Sequence, residues 1–225
     1  APGGNVSKKE KDQYYKLIYN SGNNLLKLMD DIIDISKIEA DQVVIRKNTC
    51  NVDLVLNELL EHYLEVKALR NKHNVNLQID PDSSKEKVSF YTDRYRFKQI
   101  FSNLIDNAIK FTEKGTISFG YKVENPDNLL FYVKDTGIGL DKENLKFIFS
   151  RFRKAEQTNN KLYRGAGLGL TISKYIAEKL GGNIWVDTKI NKGSAFYFTL
   201  PLVRSEEEEK EKEKQHKGEK LHMWA

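Results

Sequence analysis

Four short clusters stand in a fixed order along this chain, and they limit what it can become. They are Asn103-Leu-Ile-Asp-Asn107-Ala-Ile-Lys110, Asp135-Thr-Gly137-Ile-Gly139, Phe149-Ser-Arg-Phe152 and Gly165-Ala-Gly167-Leu-Gly169-Leu. The first reads as one face of a helix, the second as an acid at a strand end, and the last as a glycine loop opening a helix. Each alone is compatible with an ordinary turn or helix surface. In this order they describe a pocket for a nucleotide, with a metal ligand on the helix, an acid for the base and a glycine loop for phosphates.

On a helix, Asn103, Asn107 and Lys110 share one side because they are four and three residues apart. Leu104, Ile105, Ala108 and Ile109 then face the core. An asparagine carbonyl oxygen is a neutral hard ligand for Mg²⁺, which takes much of its shell from water and substrate phosphates. Lys110 adds charge for those phosphates. Asp135 follows the strand-like run 130–134, and Gly137 and Gly139 let the backbone approach a ligand closely. A carboxylate there accepts from the exocyclic amine of adenine and repels the carbonyl of guanine. Gly165, Gly167, Leu168 and Gly169 open the helix that starts near Leu168, so free amides and the helix dipole face an anion. The spacing is neither Walker A nor Gly-x-Gly-x-x-Gly, which sets aside the P-loop and Rossmann readings.

The remainder of the chain organises around this. Residues 8–39 carry a helical pattern with Tyr14, Ile18, Leu25, Leu28, Ile32 and Ile35 on one seam and Leu26, Met29 and Ile33 widening it. A stripe this wide suits a helix in an antiparallel bundle, with a core helix of the same domain as the other option. Residues 40–203 read as α/β. A helix runs from Leu54 to about Asn71 with Asp53 as its N-cap, and strands are expected at Val75–Ile79 and Val88–Tyr91. The asparagine helix Tyr95–Phe111 comes next, with strands Thr116–Val123 and Leu129–Lys134 behind it. Then come a helix and loop over 142–164, a helix Leu168–Leu180, and strands Asn183–Asp187 and Ser194–Leu200. Short turns such as Asn125-Pro-Asp-Asn imply a mostly antiparallel or mixed sheet with helices layered on one face.

Composition removes several alternatives. The net charge is +5, yet the Glu/Lys blocks from Arg204 to the end hold six basic and seven acidic residues, so the excess is spread over the remainder. Basic residues near the clusters suit a polyphosphate as well as a nucleic-acid backbone, and no aromatic-basic interleaving offers base stacking, so nucleic acid is not an expected partner. No run of 18 apolar residues offers a membrane span. The single cysteine, Cys50, excludes an internal disulfide framework.

Together the clusters resemble the catalytic ATP-binding domain of sensor histidine kinases, of the Bergerat fold shared with DNA gyrase, the Hsp90 chaperones and MutL. The resemblance covers about residues 50–203. Its N box matches 103–112, its G1 box 135–139, its F box 149–152, its G2 box 165–170, and its closing hairpin Lys192-Gly193-Ser194-Ala-Phe196. What it implies is an α+β, two-layer sandwich preceded by one long bundle helix, binding ATP and Mg²⁺. It implies Asn107 as metal ligand, Asn103 and Lys110 at the phosphates, and Asp135 on adenine. Gly137, Gly139, Phe149, Phe152, Gly165, Gly167, Leu168 and Gly169 join the ATP site, and a mobile lid spans about 153–168, with Lys161, Tyr163 and Arg164 as further contacts.

The run Leu25 to Glu39 looks like the second helix of the family's dimerisation and histidine-phosphotransfer domain. Residues 1–7 then read as a tag or linker, 8–40 as that helix, 41–203 as the ATP-binding domain and 204–225 as a charged tail. The family's phosphoacceptor lies in a Ser-His-Glu-x-Arg-x-Pro-like box on the preceding helix, and no such box occurs here. His62, His73, His216 and His222 lack that context and read as structural, so no catalytic residue is assigned. The expectation is a cytoplasmic fragment of a kinase that is itself anchored in the inner membrane or free. Expected partners are ATP, the acceptor helix, a response-regulator receiver domain and, in the parent kinase, a second copy. The alternatives are a nucleotide-dependent interaction module and another Bergerat-fold ATPase.

Overall fold

The structure, a computed structural model, describes residues 7–83, 86–141, 145–150, 167–208 and 210. In chain order the elements are α1 (Lys8–Glu39), β1 (Asn48–Asn51), α2 (Val52–Leu69), β2 (Val75–Ile79), β3 (Ser89–Thr92), α3 (Arg94–Phe111), β4 (Gly115–Asn125), β5 (Asn128–Asp135), α4 (Gly169–Lys179), β6 (Asn183–Lys189) and β7 (Gly193–Pro201). All but Ser7 of the expected tag or linker at 1–7 and nearly all of the tail lie outside the described residues, and residues 206–208 and 210 at the start of the tail are helical.

Five strands form one sheet in the order β2-β4-β5-β7-β6. The β2–β4 pair is parallel and the other pairs are antiparallel, with short turns joining β4 to β5 and β6 to β7. Period-two alternation sends Ile117, Phe119 and Tyr121 of β4, Leu129, Phe131 and Val133 of β5, and Phe196, Phe198 and Leu200 of β7 to one buried face. The helices α2, α3 and α4 cover that face. At its centre Phe97 and Phe101 of α3 meet Phe131 and Phe198, with centroids 4.9 Å apart for Phe97–Phe131 and 5.1 Å for Phe101–Phe198. Edge-on pairs of this kind contribute ~0.5–1.5 kcal/mol each beyond their buried area. They fix the height of α3 above the sheet, and with it the side chains that α3 carries.

Two expectations are corrected. The cap of α2 is Asn51, whose side chain accepts from the Leu54 N–H at 3.0 Å, while Asp53 sits inside the first turn. Both residue types cap helices, so composition alone left the choice open. The segment expected as a strand at Val88–Tyr91 does form one, but it leaves the main sheet and pairs with β1 in a separate two-stranded ladder, Asn48↔Thr92 to Asn51↔Ser89. β1 was not foreseen, because Asn-Thr-Cys-Asn carries no apolar alternation.

The long helix spans the expected residues and opens on a capping box, with the Glu10 N–H donating to Ser7 Oγ and the Ser7 N–H to Glu10 Oε2. Its C-terminal end packs on the domain, where Ile35 is buried and Ile38 is packed against the core. Leu25, Leu26, Met29, Ile32 and Ile33 are exposed. No helix among the described residues is long and apolar enough to cross a membrane.

Candidate nucleotide site

Helix α3 is the floor of the site. Asp93 caps it, accepting from the Arg96 N–H at 3.1 Å, and its apolar positions Leu104, Ile105, Ala108 and Ile109 are buried, as the periodicity predicts. Asn103, Asn107 and Lys110 lie on successive turns of the same helix. Asn103 is buried, and its Nδ2 donates to the Gly169 carbonyl at 3.1 Å and to Ser173 Oγ at 3.2 Å. This amide therefore ties α3 to the first turn of α4. Asn107 and Lys110 are half-buried, and Lys110 Nζ sits 4.8 Å from the Phe111 ring centroid.

The opposite end of α3 meets the Asp135 loop. Asp135 closes β5 on the buried face, opposite Ser194 of β7. Its Oδ1 accepts from the Gly137 N–H at 2.8 Å. Burial pushes its carboxyl above the usual carboxylate range, against the opposing pull of the N–H groups of Gly137 and Ser194. Gly137 lies so close to the end of α3 that a Cβ there would overlap the Phe111 carbonyl and reach within 2.8 Å of Asp135 Oδ1. Gly139 has φ 68°, and its missing Cβ makes room for the Lys189 carbonyl. The loop is thus held between the end of α3, through Ile138 N–H to Phe111 O at 3.3 Å, and the β6–β7 turn, through Asn191 N–H to Ile138 O at 2.8 Å.

The third wall is the start of α4. Leu168 stands at the N-cap and is buried, and among the described residues its side chain makes no cap bond to the first-turn amides of α4. Gly167 takes φ 72° just before it. Phe149 packs on the core, and its carbonyl accepts from Thr171 Oγ1 of α4 at 3.0 Å. Phe152, Lys161, Tyr163, Arg164 and Gly165, with the expected lid over 153–168 up to residue 166, fall outside the described residues.

These positions bring Asn103, Asn107, Lys110, Asp135, Gly137, Gly139, Leu168 and Gly169 around one helix, with the acid at one end and the helix start near the other. From Asn103 to Phe111 the rise along α3 is about 12 Å. One observation suits a polar ligand there. The Thr112 hydroxyl is fully buried beside Gly137 and meets no partner among the described residues, a condition that ordered water or a ligand relieves. Among the described residues no three His, Cys, Asp or Glu converge on a metal site. Three hydroxyls that sequence reasoning did not single out also belong to the site: Ser173 on Asn103, Thr112 beside Gly137, and Thr188 on the Asp135 loop through Leu140 N–H at 2.9 Å. The signal that could have found Thr188 is its inward position in the alternation of β6.

Residues 92–204 match the family model described as "Histidine kinase-, DNA gyrase B-, and HSP90-like ATPase". The autoinducer 2 sensor kinase/phosphatase LuxQ of Vibrio vulnificus is 37% identical over 195 residues, covering 84% of this chain and 22% of that protein. Hybrid signal transduction histidine kinase B of Dictyostelium discoideum is 36% identical over 197 residues, covering 84% of this chain and 10% of that protein. The chain thus spans about a fifth or less of these relatives' length. A solved structure of full-length ShkA in complex with AMPPNP superposes with a TM-score of 0.68 at 25% identity, over 90% of this chain and 41% of that one.

Proposed function

This chain belongs to the histidine kinase-, DNA gyrase B- and HSP90-like ATPase family, and from that premise we propose that it is the ATP-binding catalytic domain of a two-component sensor histidine kinase. The observation that carries the reading is the half-buried Asp135 carboxylate, held by the Gly137 and Ser194 N–H groups beside the end of α3, while Asn103 of the same helix holds the start of α4. The sensor-kinase names of the relatives and the AMPPNP bound to ShkA support it.

In this reading Asp135 accepts from the exocyclic amine of adenine, and Gly137 and Gly139 let the loop after it close against the Phe111 and Lys189 carbonyls. The amides at the start of α4 and Lys110 carry the phosphates, with the Asn103 Oδ1 beside them. Asn107 is the residue assigned to hold Mg²⁺, whose chemistry is to neutralise phosphate charge. The protein's own contribution is alignment and electrostatics rather than covalent chemistry. The γ-phosphoryl goes to a histidine on an acceptor helix and then to a receiver-domain aspartate, which makes that helix, a second copy and a receiver domain the partners, in the cytoplasm. His62 and His73 are exposed and lie on or just after α2, and neither is assigned as acceptor.

The test is labelling with γ-radiolabelled ATP. The chain alone should bind ATP and gain no acid-labile phosphate, and adding an acceptor helix with its histidine should restore labelling in trans. Stoichiometric phosphohistidine on the chain alone would place the acceptor among its own four histidines. Absence of any ATP binding by calorimetry would end the reading.

A further inference from the structure

Thr188, Ser194 and Asp135 form a row across three strands on the buried face, since Thr188 pairs with Ser194 and Ser194 with Asp135. Thr188 Oγ1 stands 3.0 Å from Ser194 Oγ and 3.0 Å from the Gly193 carbonyl, and accepts from the Leu140 N–H at 2.9 Å. Either hydroxyl can donate across the Thr188–Ser194 contact. Thr188 has one hydrogen to give and two acceptors in reach, and of these the Gly193 carbonyl has no hydrogen of its own, whereas Ser194 does. The arrangement in which Thr188 donates to Gly193 and Ser194 donates to Thr188 uses all three contacts, with the Thr188 oxygen giving one bond and accepting two.

We propose that Thr188 is a positioning residue that draws the Ser194 hydroxyl hydrogen away from the pocket, so that Ser194 Oγ beside Asp135 can only accept. Resting on the nucleotide reading of this site, the proposal adds a second acceptor to the base-recognising wall. A carboxylate and a hydroxyl oxygen that both accept match a ligand group with two N–H hydrogens, such as an exocyclic amine. They reject a carbonyl, which would face two sets of lone pairs. With Thr188 removed, Ser194 is free to turn its hydrogen toward the ligand and donate to a carbonyl.

Two measurements test this. Hydroxyl-proton NMR on the ligand-free chain should show a protected Ser194 hydroxyl proton close to the Thr188 side chain. A Ser194 proton directed at Asp135, or exchanging freely with solvent, overturns the proposal whether or not nucleotides bind. Calorimetry with ADP and IDP, which carries a carbonyl where ADP has its amine, reads the consequence. The wild type should prefer ADP. Thr188→Val should narrow that preference about tenfold, the effect of one exchanged hydrogen bond, while Thr188→Ser keeps it. An unchanged ratio in a folded Thr188→Val protein overturns the proposal, as does a Thr188→Ser protein that behaves like the valine variant. If Thr188→Val does not fold, the proton measurement and the serine variant decide. Equal wild-type affinities with the Ser194 proton found on Thr188 would refute the assignment of Asp135 to the base and leave the proton arrangement standing.

Discussion

At the scale of single residues, Asp135 carries opposite consequences for binding and for stability. Because burial raises its pKa, the folded chain holds this proton more tightly than the unfolded chain does. The stabilisation from that group is complete below the ordinary carboxylate range and disappears as pH rises through the raised native value. Ionised Asp135 is therefore a cost to the ligand-free fold at neutral pH. Asp135→Asn should raise the ligand-free melting temperature at pH 7 while weakening ADP binding by roughly 1–3 kcal/mol, the cost of a mispaired buried polar group. Thermal melts and calorimetry check the two halves, and a lower melting temperature would contradict the first. Asp135 was legible because an acid at a strand end before Gly-Ile-Gly is a local pattern. Ser194 was legible only as part of a hairpin, Thr112 only as the last residue of the N box, and Thr188 only as the next step in an alternation beyond the expected strand Asn183–Asp187, because their roles depend on register between strands or on a helix end meeting a loop. Asn103 was placed on the right helix, yet its bond to the carbonyl of Gly169, 66 positions away, is a tertiary fact that the helix pattern does not contain.

At the scale of elements, what joins α1 to the domain is largely polar. Arg96 Nη1 donates to Asp34 Oδ1 at 3.0 Å and to Gln99 Oε1 at 2.7 Å, while Gln99 Nε2 donates to Asp34 Oδ2 at 2.7 Å. Lys27 pairs with Asp106, and beyond the helix Asp41 accepts from Lys179 at 2.6 Å and Tyr175 at 3.1 Å. The Asp34–Arg96 pair is nearly buried, so removing one partner leaves a charge without its counterion, a loss of about 3–5 kcal/mol where the group cannot reach water. Here α1 can lift instead. Asp34→Ala should therefore speed amide exchange in the last turns of α1 much more than in α3, and exchange of α1 unchanged from the wild type would show that apolar packing of Ile35 and Ile38 holds the helix alone. A second element-scale expectation concerns the Asp135 loop, where Gly139→Ala combines a positive φ with a clash against the Lys189 carbonyl. It should lower stability by roughly 1–3 kcal/mol in chemical denaturation. Helix boundaries were legible to within about two residues because 3.6-residue periodicity and caps are local signals. The β1–β3 ladder was not, since a four-residue polar strand declares itself only by its partner.

At the scale of the whole molecule, the expected mixed sheet under one layer of helices is present, and the long helix stands apart from it with an open apolar side. Leu25, Leu26, Met29, Ile32 and Ile33 are between 48% and 61% exposed, a contiguous stripe of the kind that associates. Sedimentation equilibrium should show self-association, and Leu25→Glu with Ile32→Glu should weaken it by about tenfold or more. A monomer at all concentrations would show that the stripe tolerates water. The small β1–β3 ladder has a further consequence. The segment leading out of α1 enters the domain here, with the Arg46 N–H on Asp93 Oδ2 and Asn48 opposite Thr92, and the strand leaving the domain returns to the same place, where the Tyr91 N–H donates to the Val203 carbonyl at 2.6 Å. Entry and exit of the ATPase unit therefore share one doorway. A unit built so can be spliced between unlike neighbours without threading its sheet through them, and a pull on either neighbour reaches the other across a single short ladder, bypassing the nucleotide site.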